Sequence, residues 1–276
     1  MKLSCASWSF PACTLDEVAG IVRALGIVAM DISTRHGPGL DRREILESQE
    51  QTADRLAALG ITLSSLFYRF GDSMYDRNLA DPRWLRPNVE DFKKVLKLCD
   101  LAGIACVTVL PGMINHGQTR GEALARSANA LKILADLAGE QGIVLTTEPH
   151  VQSYLESPRM VEDLLALVPG LQVALDYSHF ICMGYTQEAV DPLILRAGAV
   201  HLRQARPGAI QTKLKHGTIN FRALLAELSA NDYRGYLMLE CVHQEYMNAL
   251  YDDVITETVQ LRDLVRGHIE SASSGA

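Results

Sequence analysis

Four side chains that can bind a divalent metal ion lie at equivalent places in four successive segments of the chain. They are Glu148 in TTEPH, Asp176 in ALDYSHF, His201 in AVHLRQARPG and Glu240 in YLMLECVH. Each lies at or just past the end of a short apolar run that is typical of a buried strand. Carboxylate oxygens favour Mg²⁺ or Mn²⁺, and one imidazole shifts the preference towards Mn²⁺, Co²⁺ or Zn²⁺. The four therefore predict a metal site, with Mn²⁺ as the expected ion, if the fold brings them together.

Each of these residues, taken alone, has a simpler explanation. A carboxylate at a strand end is commonly solvated or caps a helix, and a histidine such as His201 is commonly hydrogen-bonded within a core. Four ionisable groups at matching positions are harder to explain in this way, because burying charges without partners is costly. The pattern as a whole favours the metal site.

Further polar and aromatic residues near these positions are candidates for substrate binding: His150, His179, Arg203, Arg206 and Trp8. Each has an alternative role. His179 could orient a metal-binding carboxylate, Arg203 could be a charge-paired structural residue, and Arg206 could be a cation of a surface loop. Trp8 could form an apolar wall for a sugar ring or close off the core.

A glycine followed by an apolar residue recurs between a helical pattern and a strand-like run. A glycine just past a helix can adopt the left-handed conformation that ends it, so each of these junctions predicts the start of a new strand. The seven junction glycines are Gly26, Gly60, Gly103, Gly142, Gly170, Gly198 and Gly235. With an N-terminal strand at residues 2–6, they predict eight strands.

The predicted strand cores are short and nearly continuously apolar, as expected of parallel strands buried on both faces. After the first strand they cover residues 28–32, 62–66, 106–110, 144–147, 172–175, 199–202 and 236–239. Alternating strands and helices form either a closed (βα)8 barrel or an open doubly wound sheet. Eight units, without a GxGxxG motif after the first strand, favour an α/β fold with a single (βα)8 TIM barrel. We expect the barrel domain to span residues 1–267 and residues 268–276 to form a flexible tail.

Composition excludes several classes of protein. The chain has 276 residues, a net charge of −7 and 48% hydrophobic residues, which suits one soluble domain and argues against a nucleic acid partner. It has neither an apolar run long enough to span a membrane nor a recognisable signal peptide, so we expect a cytoplasmic protein. The six cysteines lack CxxC spacing and are expected to be buried free thiols.

The segments EPH, LDYSH, VHLRQ and LEC, with ASWSF near the start and the late HGTINF, resemble the xylose-isomerase-like barrel superfamily of sugar isomerases and epimerases. The resemblance covers nearly the whole chain. It implies that Glu148, Asp176, His201 and Glu240 bind the metal, and that His179 and Arg206 contact substrate. Many relatives read His-x-Lys-Asp where this chain has His201-Leu-Arg203-Gln204, and the change is expected to remove a carboxylate beside the metal.

A metal ion held by two glutamates can bind the neighbouring carbonyl and hydroxyl oxygens of a ketose and stabilise an enediolate. Glu148 and Glu240 are then expected to act as catalytic proton carriers on opposite faces of the substrate. Three functions follow: a metal-dependent isomerase or epimerase of a sugar or sugar-like ketone, a lyase that dehydrates a keto-cyclitol, 3-keto sugar or dehydroshikimate-like substrate, or a non-catalytic sugar- or metal-binding barrel. We expect a small carbohydrate or polyol as ligand and a homo-oligomer, with no membrane partner.

Overall fold

Eight parallel strands form a closed barrel in a computed structural model that describes residues 1–34, 39–245, 247, 249–251 and 253–274. The strands pair in chain order and the barrel closes between the first and the last, so the predicted (βα)8 barrel is confirmed. The strands are β1 (Lys2–Ala6), β2 (Ala29–Ser33), β3 (Thr62–Phe67), β4 (Cys106–Val109), β5 (Val144–Thr147), β6 (Gln172–Asp176), β7 (Ala197–Leu202) and β8 (Tyr236–Leu239).

Helices lie between successive strands and after β8, and their ends follow the capping residues of the sequence. Thr14 and Glu17 form a capping box, Ser157 caps a helix that has Pro158 in its first turn, and Asn220 accepts a hydrogen bond from Ala223 N. The described helices are α1 (Leu15–Ala24), α2 (Arg42–Glu47), α3 (Gln49–Ala58), α4 (Leu85–Ala102), α5 (Arg120–Glu140), α6 (Pro158–Leu167), α7 (Tyr177–Cys182), α8 (Gln187–Val190), α9 (Phe221–Ala230) and α10 (Val254–Ser274).

The junction glycines behave in two ways. Gly26, Gly60, Gly103 and Gly142 adopt positive φ, as predicted for residues that end a helix. The prediction is wrong for Gly170, Gly198 and Gly235, which do not adopt positive φ. Gly198 lies inside β7, which begins two residues earlier than predicted, and a Cβ there would lie 2.7 Å from Thr146 Cγ2. Close packing against side chains of β5 and β6, rather than backbone conformation, accounts for this glycine.

Two clusters of buried apolar side chains stabilise the barrel. The larger one fills the space between the strands and the surrounding helices. A smaller cluster, which we call the apolar cap, lies mostly at and beyond the carboxyl ends of the strands. It consists of Ala6, Trp8, Phe67, Val151, Cys182, Ile210, Met238, Val242 and Ala249, with the partly buried Leu110 against it. The cap is therefore at the end of the barrel where the four predicted metal ligands also lie.

Some expectations about the whole chain can be compared with the structure. All six cysteines are free thiols, and five of them are buried. In the part of the chain that the structure describes, no helix has both the length and the apolarity needed to cross a membrane. The backbone of α10 is helical to Ser274, and residues 275–276 lie outside the described residues. The division into a barrel of residues 1–267 and a flexible tail of residues 268–276 stays a prediction.

Candidate metal centre

Strands β5 to β8 bring Glu148, Asp176, His201 and Glu240 together, and we call these four residues the candidate centre. Asp176 is the last residue of β6 and pairs in register with His201 of β7, whereas Glu148 and Glu240 directly follow β5 and β8. One ligand atom from each residue lies within 4.8 Å of the others, and all four residues are buried. This convergence follows from the parallel strands, whose carboxyl ends meet at one end of the barrel.

The carboxylates of the candidate centre are anchored by hydrogen bonds from the protein. Asp176 Oδ1 accepts a hydrogen bond of 2.8 Å from Ser178 N, which makes Asp176 the N-cap of α7. Glu240 Oε1 accepts a hydrogen bond of 3.0 Å from Trp8 Nε1. Glu148 Oε1 lies 2.9 Å from His201 Nδ1. The anchored atoms fix the orientation of each side chain and hold the cluster together.

Glu240 Oε2 is the atom that best indicates room for a cation. It is fully buried and has no well-directed hydrogen bond from any residue that the structure describes, although His201 Nδ1 lies 3.3 Å away. A buried carboxylate oxygen without a partner is costly, and a bound cation would remove that cost. Three carboxylates and one imidazole are a donor set that suits Mn²⁺, Co²⁺ or Zn²⁺. The residues present therefore fit a divalent metal ion.

Electrostatics within the candidate centre are strongly coupled. Burial alone would lower the pKa of His201, but the neighbouring carboxylates of Glu148 and Glu240 outweigh it and hold that pKa well above its usual value. Burial would raise the pKa of Glu240, yet the charge of Arg203 and the neighbouring His201 hold it well below its usual value. Burial does raise the pKa of Asp176, even though Arg203 opposes the shift. Protonated His201 and the guanidinium of Arg203 therefore offset part of the carboxylate charge of the centre.

Arg203 is a fully enclosed partner of these carboxylates rather than a surface residue. Its Nη2 atom donates to Asp176 Oδ2 at 2.6 Å, and Nε donates to Ser178 Oγ at 2.8 Å. Its Nη1 atom lies 3.7 Å from Glu240 Oε1. These contacts support the structural alternative for Arg203, which offsets one carboxylate charge and fixes the rotamer of Asp176.

His150 and His179 lie beside the candidate centre with their rings 4.2 Å apart, and the backbone of one residue, Val151, contacts both. Val151 N donates to His179 Nδ1 at 3.2 Å, so the neutral His179 carries its proton on Nε2. Asp176 Oδ2 lies 3.5 Å from that Nε2 atom and also accepts from Arg203. Val151 O accepts from His150 Nδ1 at 2.7 Å, so the neutral His150 has its lone pair on Nε2. The two imidazoles therefore adopt opposite tautomers, one presenting a donor and the other an acceptor.

The remaining candidate residues lie in two different environments. Trp8 is buried against Glu240 and packs on Phe67, with ring centroids 5.8 Å apart. Arg206 is exposed at a turn closed by its backbone bridge to Ala209, and it is not part of the candidate centre. Substrate contact by Arg206 stays a prediction.

Gln204 corrects an expectation drawn from the sequence. Its amide nitrogen donates to Ile219 O at 3.1 Å and to Leu214 O at 3.3 Å, and its Oε1 accepts from the backbone of Ala205 and Ile219 at 3.0 Å each. The side chain therefore fastens the loop after β7 and does not replace a carboxylate at the metal. Gly217 permits this packing, because a Cβ there would lie 2.2 Å from Gln204 Cγ.

The loops after β7 and β8 are joined to each other. Gln211 donates to Val242 O at 2.7 Å and accepts from Val242 N at 3.0 Å. The Tyr251 hydroxyl donates to Thr212 O at 2.6 Å, and Glu257 accepts from Leu214 N at 2.9 Å. These bonds hold the part of the apolar cap that the two loops contribute.

Sequence reasoning missed a buried carboxylate of the barrel that lies outside the candidate centre. Asp31 of β2 accepts hydrogen bonds from the hydroxyls of Ser4, Ser64 and Ser65. Burial raises its pKa, and the three serines oppose the shift. The pairing of β2 with β3 shifts register at Asp31, so that two successive serines face one residue. An aspartate in VAMDI followed by two serines in TLSSL was the available signal.

Comparisons with known proteins agree with this fold. The sequence profile of the xylose isomerase-like TIM barrel family matches residues 20–262. Among curated proteins, none matches the sequence at a significant level. Similar solved structures include an L-ribulose 3-epimerase, which is 19% identical with a TM-score of 0.77 over 100% of this chain and 97% of that protein.

Two further structures broaden the comparison. A protein named IOLI that binds a zinc atom is 18% identical, with a TM-score of 0.75 over 97% of this chain and 99% of that protein. A probable 3-DHS dehydratase, AsbF from Bacillus anthracis, is 14% identical with a TM-score of 0.71 over 95% of this chain and 99% of that protein. At these identities the similarity establishes the fold, and the proteins that share it include both epimerases and a dehydratase.

Proposed function

Because the chain belongs to the xylose isomerase-like TIM barrel family, we propose that it is a divalent-metal-dependent isomerase or epimerase of a sugar or sugar-like ketone that reacts through an enediolate. The observation that carries the proposal is the convergence of Glu148, Asp176, His201 and Glu240 in one buried cluster, with Glu240 Oε2 left without a hydrogen bond from the described residues. Epimerases among the solved structures of this fold support it.

The candidate centre would hold the metal ion, with Mn²⁺ expected and Mg²⁺, Co²⁺ or Zn²⁺ as alternatives. When bound, the ion supplies Lewis acidity, which favours removal of a proton from the carbon next to a ketone. Arg203 holds Asp176 in place through the 2.6 Å contact, and Trp8 holds Glu240 through its indole N–H. His179, whose Nε2 atom lies 3.5 Å from Asp176 Oδ2 and 3.0 Å from Arg203 Nη2, would contact a substrate oxygen beside the centre.

Glu148 and Glu240 are the proposed proton carriers. They follow β5 and β8, on either side of His201, and so approach a substrate between them from different directions. One glutamate removes the proton and the other returns one to the same carbon from the opposite face, which gives epimerisation, or to the next carbon, which gives isomerisation. Neighbouring cations hold the pKa of Glu240 low, which makes it a weak base in the resting protein.

The test is exchange of solvent deuterium. The protein, loaded with Mn²⁺, is incubated in D₂O with a panel of ketoses, and recovered sugars are analysed by mass spectrometry and NMR. We expect deuterium at the carbon next to the carbonyl and a new epimer or isomer, and we expect Glu148→Gln and Glu240→Gln to abolish both. Tight Mn²⁺ binding without exchange on any ketose would instead support the non-catalytic barrel.

A lyase is the second candidate, and His150 is the observation that favours it. Its Nδ1 proton is held by Val151 O, so its Nε2 atom is the basic nitrogen, and one nitrogen of the ring lies within 4.8 Å of a Glu148 carboxylate oxygen. A dehydratase needs a group that delivers a proton to a departing hydroxyl, and a protonated imidazole can do so. Elimination of water from a 3-keto sugar, keto-cyclitol or dehydroshikimate would identify the lyase, provided that the His150→Gln variant no longer catalyses this reaction.

A further inference from the structure

The apolar cap is in direct contact with the candidate centre. Trp8 of the cap donates to Glu240, and the Val151 amide donates to His179. Met238 pairs in register with His201. A substrate held at the candidate centre would therefore extend towards cap side chains that are buried and apolar, chiefly Trp8, Phe67, Val151, Ile210, Val242 and Ala249.

Several polar side chains near this wall already bond within the protein. Arg203 is bonded to Asp176 and Ser178, and His179 accepts from the Val151 amide. Gln211 uses both ends of its amide on the backbone of Val242. A substrate hydroxyl pressed against the cap would lose its bonds to water and find few free partners, whereas a methyl or methylene group would lose nothing.

We infer that the substrate is a deoxy ketose or deoxy keto sugar, with a carbonyl and a hydroxyl on adjacent carbons at the reacting end and a methyl or methylene group at the other. This inference rests on the proposed function and narrows its substrate class. The polar end reaches the carboxylates, and the deoxy end packs against the apolar cap. An apolar wall rejects an added hydroxyl by roughly ten- to a hundredfold, which sets the expected size of the preference.

Matched substrate pairs test the inference. Several 2-ketohexoses and their 6-deoxy counterparts of the same configuration are compared with the Mn²⁺-loaded protein, and kcat/KM is measured from deuterium exchange in D₂O. We expect the deoxy member of the best pair to have a kcat/KM about ten- to a hundredfold higher, mainly through a lower KM. If the parent ketohexoses have an equal or higher kcat/KM for exchange, this inference alone is overturned. If none of these sugars undergoes exchange, the proposed function is overturned as well.

A pair of variants connects the preference to the cap. Val242→Thr adds a hydroxyl to the cap at nearly constant volume, and Val95→Thr does the same in the main core, where Val95 of α4 is equally buried. We expect Val242→Thr to reduce the deoxy preference at least about threefold, because the new hydroxyl can pair with that of the parent sugar, and Val95→Thr to leave it unchanged. If Val242→Thr does not fold, Ala249→Ser places a hydroxyl in the same cluster. An unchanged preference in the folded cap variant would overturn the assignment.

Discussion

Metal binding should release a proton from His201. In the metal-free protein, Glu148 and Glu240 hold the pKa of His201 well above its usual value of 6.5, so the imidazole is protonated near neutral pH. Its Nδ1 atom faces both glutamates and is the nitrogen that a metal ion in the cluster would take. A nitrogen cannot carry a proton and bind a metal at once, so binding must expel that proton.

The expected magnitude follows from the number of protons displaced. One proton leaves His201 for each divalent ion that takes its Nδ1 atom. Below the pKa of His201, expelling one proton makes the apparent Kd about tenfold tighter for each unit rise in pH, which is ~1.4 kcal/mol. Between about pH 6.5 and about pH 7.5 the apparent Kd for Mn²⁺ should therefore fall by about one order of magnitude.

Isothermal titration of the metal-free protein with Mn²⁺, in buffers of different ionisation enthalpy, measures the number of protons released. We expect about one proton per ion near pH 7, and the same value for His116→Gln, which removes an exposed histidine of the loop after β4. Binding that is tight but releases no proton, with an affinity independent of pH, would refute the reasoning about His201. Absence of binding would refute the metal centre itself.

Three further variants test individual contacts. Gln204→Ala should lower the free energy of unfolding in urea by about 2–4 kcal/mol, because buried backbone groups lose their partners, but should leave Mn²⁺ affinity within about twofold. A loss of Mn²⁺ affinity with unchanged stability would instead indicate that Gln204 lies at the metal. Trp8→Phe should weaken Mn²⁺ binding about fivefold through loss of the N–H donated to Glu240, and unchanged affinity in titration would contradict that role. Asp31→Ala should lower the free energy of unfolding by about 3 kcal/mol or more, because three serine hydroxyls lose their acceptor. Asp31→Asn should lower it less. Equal unfolding curves for both variants and the parent would show that the hydroxyls find other partners.

The sequence predicted the barrel and the positions of the four acidic and imidazole groups because both depend on local patterns. Continuous apolar runs mark buried parallel strands, and a residue one step past such a run must lie at the carboxyl end of the barrel. Glu148 and Glu240 are placed by this reasoning alone. The bounds of β1, β5 and β8 were also predicted correctly, because polar or turn residues flank each of them.

What the sequence could not provide depends on contacts between distant segments. The contacts of the Gln204 side chain depend on the course of the loop that returns to Ile219, so a comparison of motifs could not predict them. The pairing of Asp31 with two serines required a register shift between β2 and β3, which leaves no periodic signal. The opposite tautomers of His150 and His179 depend on the backbone N–H and C=O of Val151, whose directions only the folded chain reveals.

The hydrogen bonds between the segments after β7 and β8 limit how either segment can be exchanged without the other. Gln211 pairs with the backbone of Val242, and Glu257 pairs with that of Leu214, so each loop carries the partner that shapes the other. If the loop after β7 were replaced alone, Val242 would lose its hydrogen bonds to Gln211, and Glu257 would meet a different backbone in place of Leu214. In this protein the two segments form one module that is expected to be exchanged between relatives as a pair, and recombination between them would be selected against.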